Sequence, residues 1–190
     1  MTGKSKYLAL LRAVNVGPKN RIKTDRLIAL FQELNFSGVK TYIQSGNVIF
    51  DDPESNRAIL TDKIEKRLFQ EFNNGVKISL LTFREMEKII VDKPPRYGEE
   101  NEKYRYDMFF FINPLTAKNA LIKMAEKEGV DQIIEGNKVL YYRILKERMM
   151  ESALFKTMRT RLNENITIRN WKTTAKLYEL MGGTGTNATN

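Results

Sequence analysis

Hydrophobic and polar positions along the chain alternate between strand-like and helix-like runs, in an order that occurs twice. YLALLRAVNV (7–16) is mostly apolar on both faces, as a buried strand requires. Leu27, Ile28, Leu30, Phe31 and Leu34 recur at helical spacing, predicting a helix from Thr24 or Asp25, either of which can cap it, to about Asn35. VKTYIQS (39–45) and NVIFDD (47–52) are short strands around Gly46, a hairpin signal. Asp52-Pro53-Glu54-Ser55 opens a longer helix to about Phe72, with Ile59, Leu60, Ile64, Leu68 and Phe72 forming its apolar stripe. The strand VKISLLT (76–82) and a short helix from Phe83 to Val91 complete the first pass.

DKPPRYGEENEKYR (92–105) reads as a linker, with two prolines, a glycine and dense charge. The pattern then restarts. YDMFFFI (106–112) is a strand, and Pro114 or Thr116 introduces a helix to about Glu128. DQIIEGNKVLYYRIL (131–145) is a hairpin around Gly136-Asn137. A helix from about Met149 to Leu162, the strand NITIR (165–169) and a last helix over 171–181 follow. The expected fold is α+β: two ferredoxin-like βαββαβ units with largely antiparallel sheets and a short extra helix after each. The expected boundaries are 1–91 for the first half, 92–105 for the linker, 106–182 for the second half and 183–190 for a disordered tail with nothing to bury.

Composition narrows the chemistry. With 42% hydrophobic and 29% charged residues the chain can bury a real core. No apolar run approaches the about 20 residues of a membrane span. Arg12 interrupts the apolar stretch near the start and no small-residue cleavage site follows, so no secretory signal is expected and cytoplasm is the default. Cysteine and histidine are both absent. Disulfides, thiol nucleophiles, thiolate metal sites, serine–histidine hydrolysis, zinc hydrolysis and histidine phosphotransfer are thereby excluded. No metal or cofactor is expected, and any catalysis would rest on carboxylates, Lys, Arg, Tyr, Ser/Thr or Asn.

The formal net charge is +9, and it is unevenly spread. Residues 1–26 carry a net +6 and residues 143–190 a net +5, while the stretch between them is net −2. An anionic partner, nucleic acid or a phosphorylated metabolite, fits this pattern if the ends meet.

Three clusters are candidates for binding such a partner. LLRAVNVGPKNRIKTDRL (10–27) runs from a strand into a helix start, where free backbone N–H groups and the helix dipole favour an anion. Lys19, Arg21 and Lys23 add charge, and Asn15 can donate hydrogen bonds. It is no phosphate-loop motif: Gly17 stands alone, and Pro18 withdraws an N–H. The alternative is a solvated basic turn with Gly17 in a structural role. Arg12 shares a strand face with Leu8, Leu10 and Val14, so its guanidinium requires an internal carboxylate or an anionic ligand. In TYIQSGNVIF (41–50), Gly46 and Asn47 suit the turn, while Gln44, Ser45 and Asn47 are ligand-contact candidates or simply a polar hairpin tip. ITIRNWKTTAKL (166–177) repeats the strand-to-helix corner: Arg169 and Lys172 supply charge, Asn170 can cap the helix, and Trp171 is a structural anchor. The aromatics of MFFFI (108–112) and YYRI (141–144) could stack on bases, but with no RNP-like octapeptide they read as core. No carboxylate pair stands out as catalytic: Asp51-Asp52, Glu99-Glu100 and Glu85/Glu87 fall in turns, the linker or an exposed helix face.

YLALLRAVNVGPKNRIKTDRLIALFQELNFSGVKTYIQSGNVIF near the start and TIRNWKTTAKLYEL near the end resemble the bacterial family named domain of unknown function 1697. The likeness spans about residues 6–181. Pro18 and Thr174 depart from the family pattern, which commonly has a second glycine and a valine there. The resemblance implies an α+β fold of two ferredoxin-like halves and carries no activity with it. Pseudo-twofold packing of such halves would bring Arg12, Asn15, Ser45 and Asn47 towards Arg169, Asn170 and Lys172 in one basic cleft. The leading expectation is therefore a cytoplasmic protein that binds an anionic ligand. A metal-independent enzyme using Arg12 and Arg169 for charge stabilisation, and a structural or protein-interaction module, are the alternatives.

Overall fold

The computed structural model describes residues 3–12, 22–43, 46–73, 75–154 and 159–184. Chain contacts divide it into two compact units, Met1–Arg84 and Glu85–Asn190.

In the first unit, β1 (Ser5–Leu11), β2 (Ser37–Thr41), β3 (Asn47–Asp52) and β4 (Ile78–Thr82) form an antiparallel sheet in the order β2-β3-β1-β4. Strand alternation sends Tyr7, Ala9, Leu11, Val48, Phe50, Ile78 and Leu80 to one face. There they meet Leu27, Leu30 and Phe31 of α1 (Thr24–Glu33) and Leu60, Ile64 and Leu68 of α2 (Arg57–Phe72). Phe50 is the hub, with Phe36, Tyr7 and Phe31 ring centroids 4.3, 5.5 and 5.5 Å away. Leu8, Leu10, Ile49 and Leu81 on the other face are buried too, in line with the two-sided apolar pattern of the sequence.

Two helix starts differ from expectation. Lys23, not Thr24 or Asp25, occupies the α1 cap position, and its side chain makes no capping bond. The second helix opens at Arg57 rather than at the Asp52–Ser55 turn. Asp52 accepts from the Glu54 N–H at 2.8 Å and Glu54 accepts from the Asn56 N–H at 2.7 Å, so these carboxylates hold the turn instead. Asn56 caps the helix, accepting from Ala58 N–H at 3.0 Å. Ile59 lies outside the expected stripe, 52% exposed. At the other end Asn73 adopts a left-handed conformation, φ +48°.

In the second unit, β5 (Tyr104–Phe111), β6 (Asp131–Glu135), β7 (Val139–Leu145) and β8 (Ile166–Asn170) form an antiparallel sheet in the order β6-β7-β5-β8. Numbered within its own unit, each sheet has the same order: second, third, first, fourth. The chain is thus α+β, with two four-stranded antiparallel sheets. Helix α3 (Phe83–Val91) crosses the boundary between units, and the Tyr141 hydroxyl donates to its Ile89 carbonyl at 2.7 Å. Further along come α4 (Ala117–Leu121) and α5 (Trp171–Leu180).

The helix expected to reach Glu128 stops at Leu121, although Thr116 caps it as expected. The residues beyond serve the edge of β6. Glu126 accepts from Ile133 N–H, and Lys127 N–H donates to Asp131 at 2.7 Å. The helix expected from Met149 does not start there: short 3₁₀ turns occupy 146–151 and 161–165, and residues 155–158 of the expected span lie outside the described residues. Between them Ser152 is extended (φ −56°, ψ 135°), its hydroxyl accepting from Leu154 N–H and pairing with Tyr142 at 2.9 Å. That local side-chain bond competes with helix continuation.

The segment read as a linker holds a buried residue. Tyr97 is 4% exposed, and its hydroxyl sits 2.7 Å from the Asp107 carbonyl and 3.0 Å from the Tyr142 carbonyl. Gly98 next to it has φ +89°, and a Cβ there would lie 2.3 Å from the Trp171 ring, so only glycine fits. Among the described residues no helix is long and apolar enough to cross a membrane. Most of the tail expected to be disordered, 185–190, lies outside the described residues.

Candidate functional site

The best-defined candidate is the corner where β8 turns into α5. β8 lies beside β5, with Met108 opposite Arg169 and Asp107 opposite Asn170. Asn170 ends the strand and caps the helix as expected, its side-chain oxygen accepting from Thr173 N–H at 2.7 Å. The Thr174 hydroxyl donates to the Asn170 carbonyl at 3.0 Å, which gives this departure from the family pattern a structural role. Trp171 is buried at 5% exposure, edge-on to Tyr97 with centroids 5.6 Å apart, and so is the anchor the sequence suggested.

Arg169 points its guanidinium into a partly buried site. Its Nη1 donates to the Thr167 hydroxyl at 2.9 Å and the Ile168 carbonyl at 2.7 Å. Burial pushes the Arg169 guanidinium down to about 10. Lys172 is exposed. A third cation, Lys93, stands with its Nζ 5.8 Å from the centre of the Trp171 ring. Sequence reading missed Lys93 and Tyr97. The available signal was an aromatic followed by glycine inside a proline-rich run, a combination that favours packing over free solvation.

At the first corner, Arg12 is half-buried and its backbone N–H donates to the Lys77 carbonyl at 2.9 Å, extending the β1–β4 ladder. The neighbouring Leu11 N–H donates to the Gly46 carbonyl at 2.9 Å, so the hairpin turn backs onto the end of β1. Asn47 is 3% exposed and its side-chain amide donates to the Tyr42 carbonyl at 2.8 Å, tying the hairpin together. Lys23 is exposed at the start of α1. Asn15, Gly17, Lys19, Arg21, Gln44 and Ser45 lie outside the described residues.

The aromatic rows belong to the core. Met108, Phe109, Phe110, Tyr141 and Tyr142 are each at most 2% exposed, and the partly buried Phe111 packs against the same core. A polar cluster interrupts them. Asp107 is 5% exposed, and one carboxylate oxygen accepts from Arg105 Nε at 2.6 Å. The other oxygen, Oδ1, is buried without a hydrogen-bond partner. Burial pushes the Asp107 carboxyl above the usual carboxylate range, against the pull of Arg105. Tyr142, its neighbour across the strand, pairs with Ser152 and lies 3.4 Å from an Asp131 oxygen. Among the described residues no group of three or more carboxylates could hold a metal ion.

Comparison with known proteins places this architecture. The family model described as protein of unknown function (DUF1697) matches residues 4–141. The chain belongs to this family. Its fold is similar to that of the conserved bacterial protein SP0830 from Streptococcus pneumoniae, with TM-score 0.83 and 23% identity over 94% of this chain and 99% of that one. A second solved structure, an unknown protein from Galdieria sulphuraria, aligns over 88% of this chain and 98% of its own with 9% identity and TM-score 0.28. No curated protein matches. For this family member, then, kinship gives a fold, and the site must supply the chemistry.

Proposed function

We propose that this family member is a cytoplasmic protein that binds an anionic ligand, nucleic acid or a phosphorylated metabolite, at the β8–α5 corner. The observation that carries the reading is Arg169: a partly buried guanidinium, one residue before a capped helix start. In such surroundings a charge interacts more strongly than on an open surface, and the N-terminal dipole of α5 adds to the attraction. Lys172 and Lys93 enlarge the positive field, and the basic excess of residues 143–190 points the same way. Arg12 of the first corner is a second basic element of the same reading. We also read each unit as a ferredoxin-like βαββαβ module, so that the chain is a duplication; the shared strand order supports this.

The test is direct binding. Fluorescein-labelled single- and double-stranded oligonucleotides and inorganic pyrophosphate are titrated at low and at physiological salt. Binding that weakens steeply with salt, and that drops about tenfold or more in Arg169→Gln, is the expected result. Absence of binding to every one of these probes at low salt overturns the reading.

A further inference from the structure

We propose that Asp107 is a proton-binding site in the second unit, and that its occupancy sets the stability of that unit between neutral and acid pH. Asp107 lies in the middle of the central strand β5 and is 5% exposed. Its Oδ1 exposes less than 1 Å² and has no hydrogen-bond partner. An ionised oxygen left in that state is costly, because a buried charge must be paired or neutralised. Closed off as it is, Oδ1 is unreachable for a ligand unless the sheet opens. A proton is small enough to reach it.

The surrounding charges do not remove the cost. On β5 itself, Arg105 binds the other oxygen, but its side chain is 53% exposed and water screens it. From β7, Tyr142 faces the carboxylate, and from the 92–103 segment Tyr97 does; burial and the Asp107 charge both push these phenols upward, so both are neutral. Asp131 of β6 reaches the group only through the Tyr142 hydroxyl, and brings a further negative charge. From β8 the register partner is the uncharged Asn170. Arg105 is the one cation that lowers the Asp107 carboxyl, and desolvation outweighs it. A carboxyl raised in the folded chain binds protons that the unfolded chain has released. Its contribution to stability is therefore complete below the unfolded value and is lost as pH rises through the folded one.

Two measurements on the full chain test this. Carbon-13 NMR of the Asp107 side-chain carboxyl should show a titration midpoint above the ordinary aspartate range, and Arg105→Gln should move that midpoint further up. A midpoint at or below the ordinary range overturns the proposal. Urea unfolding of wild type and Asp107→Asn from pH 4 to pH 8 should show the variant more stable at pH 8, with the gap closing as pH falls. A gap that does not change with pH, or that has the opposite sign, also overturns it. Should Asp107→Asn fail to fold, the wild-type NMR titration decides alone.

Discussion

The two units share a strand order and cover their sheets differently. In the first, α1 and α2 lay two continuous apolar stripes on the sheet, and Phe50 is clasped by three other rings. Two of its buried polar groups close turns: Asn47 ties the hairpin and Asp52 the entry to α2. In the second, the described residues packed over Phe109, Leu140 and Tyr142 include the short α4 and stretches around Met124 and Met149 that are not α-helical. Its buried polar residues include Asp107, whose Oδ1 has no partner. One topology thus carries a closed apolar core in one copy and a polar, partly irregular one in the other. Departures from local consistency of the latter kind concentrate at functional or strained sites, which is why the candidate chemistry is sought in the second unit.

The contrast is broken most sharply in the first unit. Phe50→Ala deletes the hub of the aromatic cluster and should cost about 3–5 kcal/mol in urea unfolding. A much smaller loss would mean that the cluster can collapse onto the gap, and that the first core is less tightly specified than its geometry suggests.

In the second unit the corresponding weak point is polar. Tyr97→Phe keeps the ring against Trp171, Tyr106 and Tyr141 but removes the hydroxyl that serves two buried carbonyls. The expected loss is about 1–3 kcal/mol. Wild-type stability in this variant would show that strand carbonyls there find other donors.

The two asparagine caps compare the units on equal terms. Asn56 and Asn170 each accept from the backbone of the helix they start, and replacement by alanine should cost about 1 kcal/mol in either case. Only Asn170→Ala should also weaken binding of the oligonucleotide or pyrophosphate probe, because only it stands between Arg169 and Lys172. Equal binding by both variants would detach the cap from the proposed site.

How far these differences were legible in the sequence depends on what held each element together. Periodicity located the eight described strands and the helices from Thr24, Phe83 and Trp171, because each buries apolar side chains at its own period. Among the described residues it failed at 122–128 and 149–153, where helix-compatible residues are diverted by single side chains: Glu126 to the β6 edge, Ser152 to Tyr142. Such long-range bonds have no periodic signature. The Arg169-Asn170-Trp171 corner was visible as a motif, and the cap and anchor follow from residue type. Tyr97 and Asp107 were not, since one sits in a run rich in charge and proline and the other reads as an interruption of an apolar strand.

The smallest expected effect concerns surface charge, and its sign opposes that of Asp107. Arg26 of α1 binds Glu33 at 2.6 Å and Glu71 of α2 at 2.5 Å, and Arg67 joins both carboxylates, so the network laces the two helices of the first unit together. Hydrogen bonding from Arg26, and then from Arg67, lowers the Glu71 carboxyl from 4.5 to about 2. A lowered carboxyl gives stability that is present above its unfolded value and is lost as pH falls through the folded one. Glu71→Gln should therefore be slightly less stable than wild type at neutral pH, with the difference vanishing towards pH 2 and shrinking at high salt, since the pair faces water. Measured beside Asp107→Asn, whose gap from wild type closes on acidification from the opposite direction, the pair of profiles separates a solvated ion network from a buried carboxyl. Profiles of the same sign would mean that Asp107 is paired as effectively as Glu71, and the contrast between the two units would then rest on packing alone.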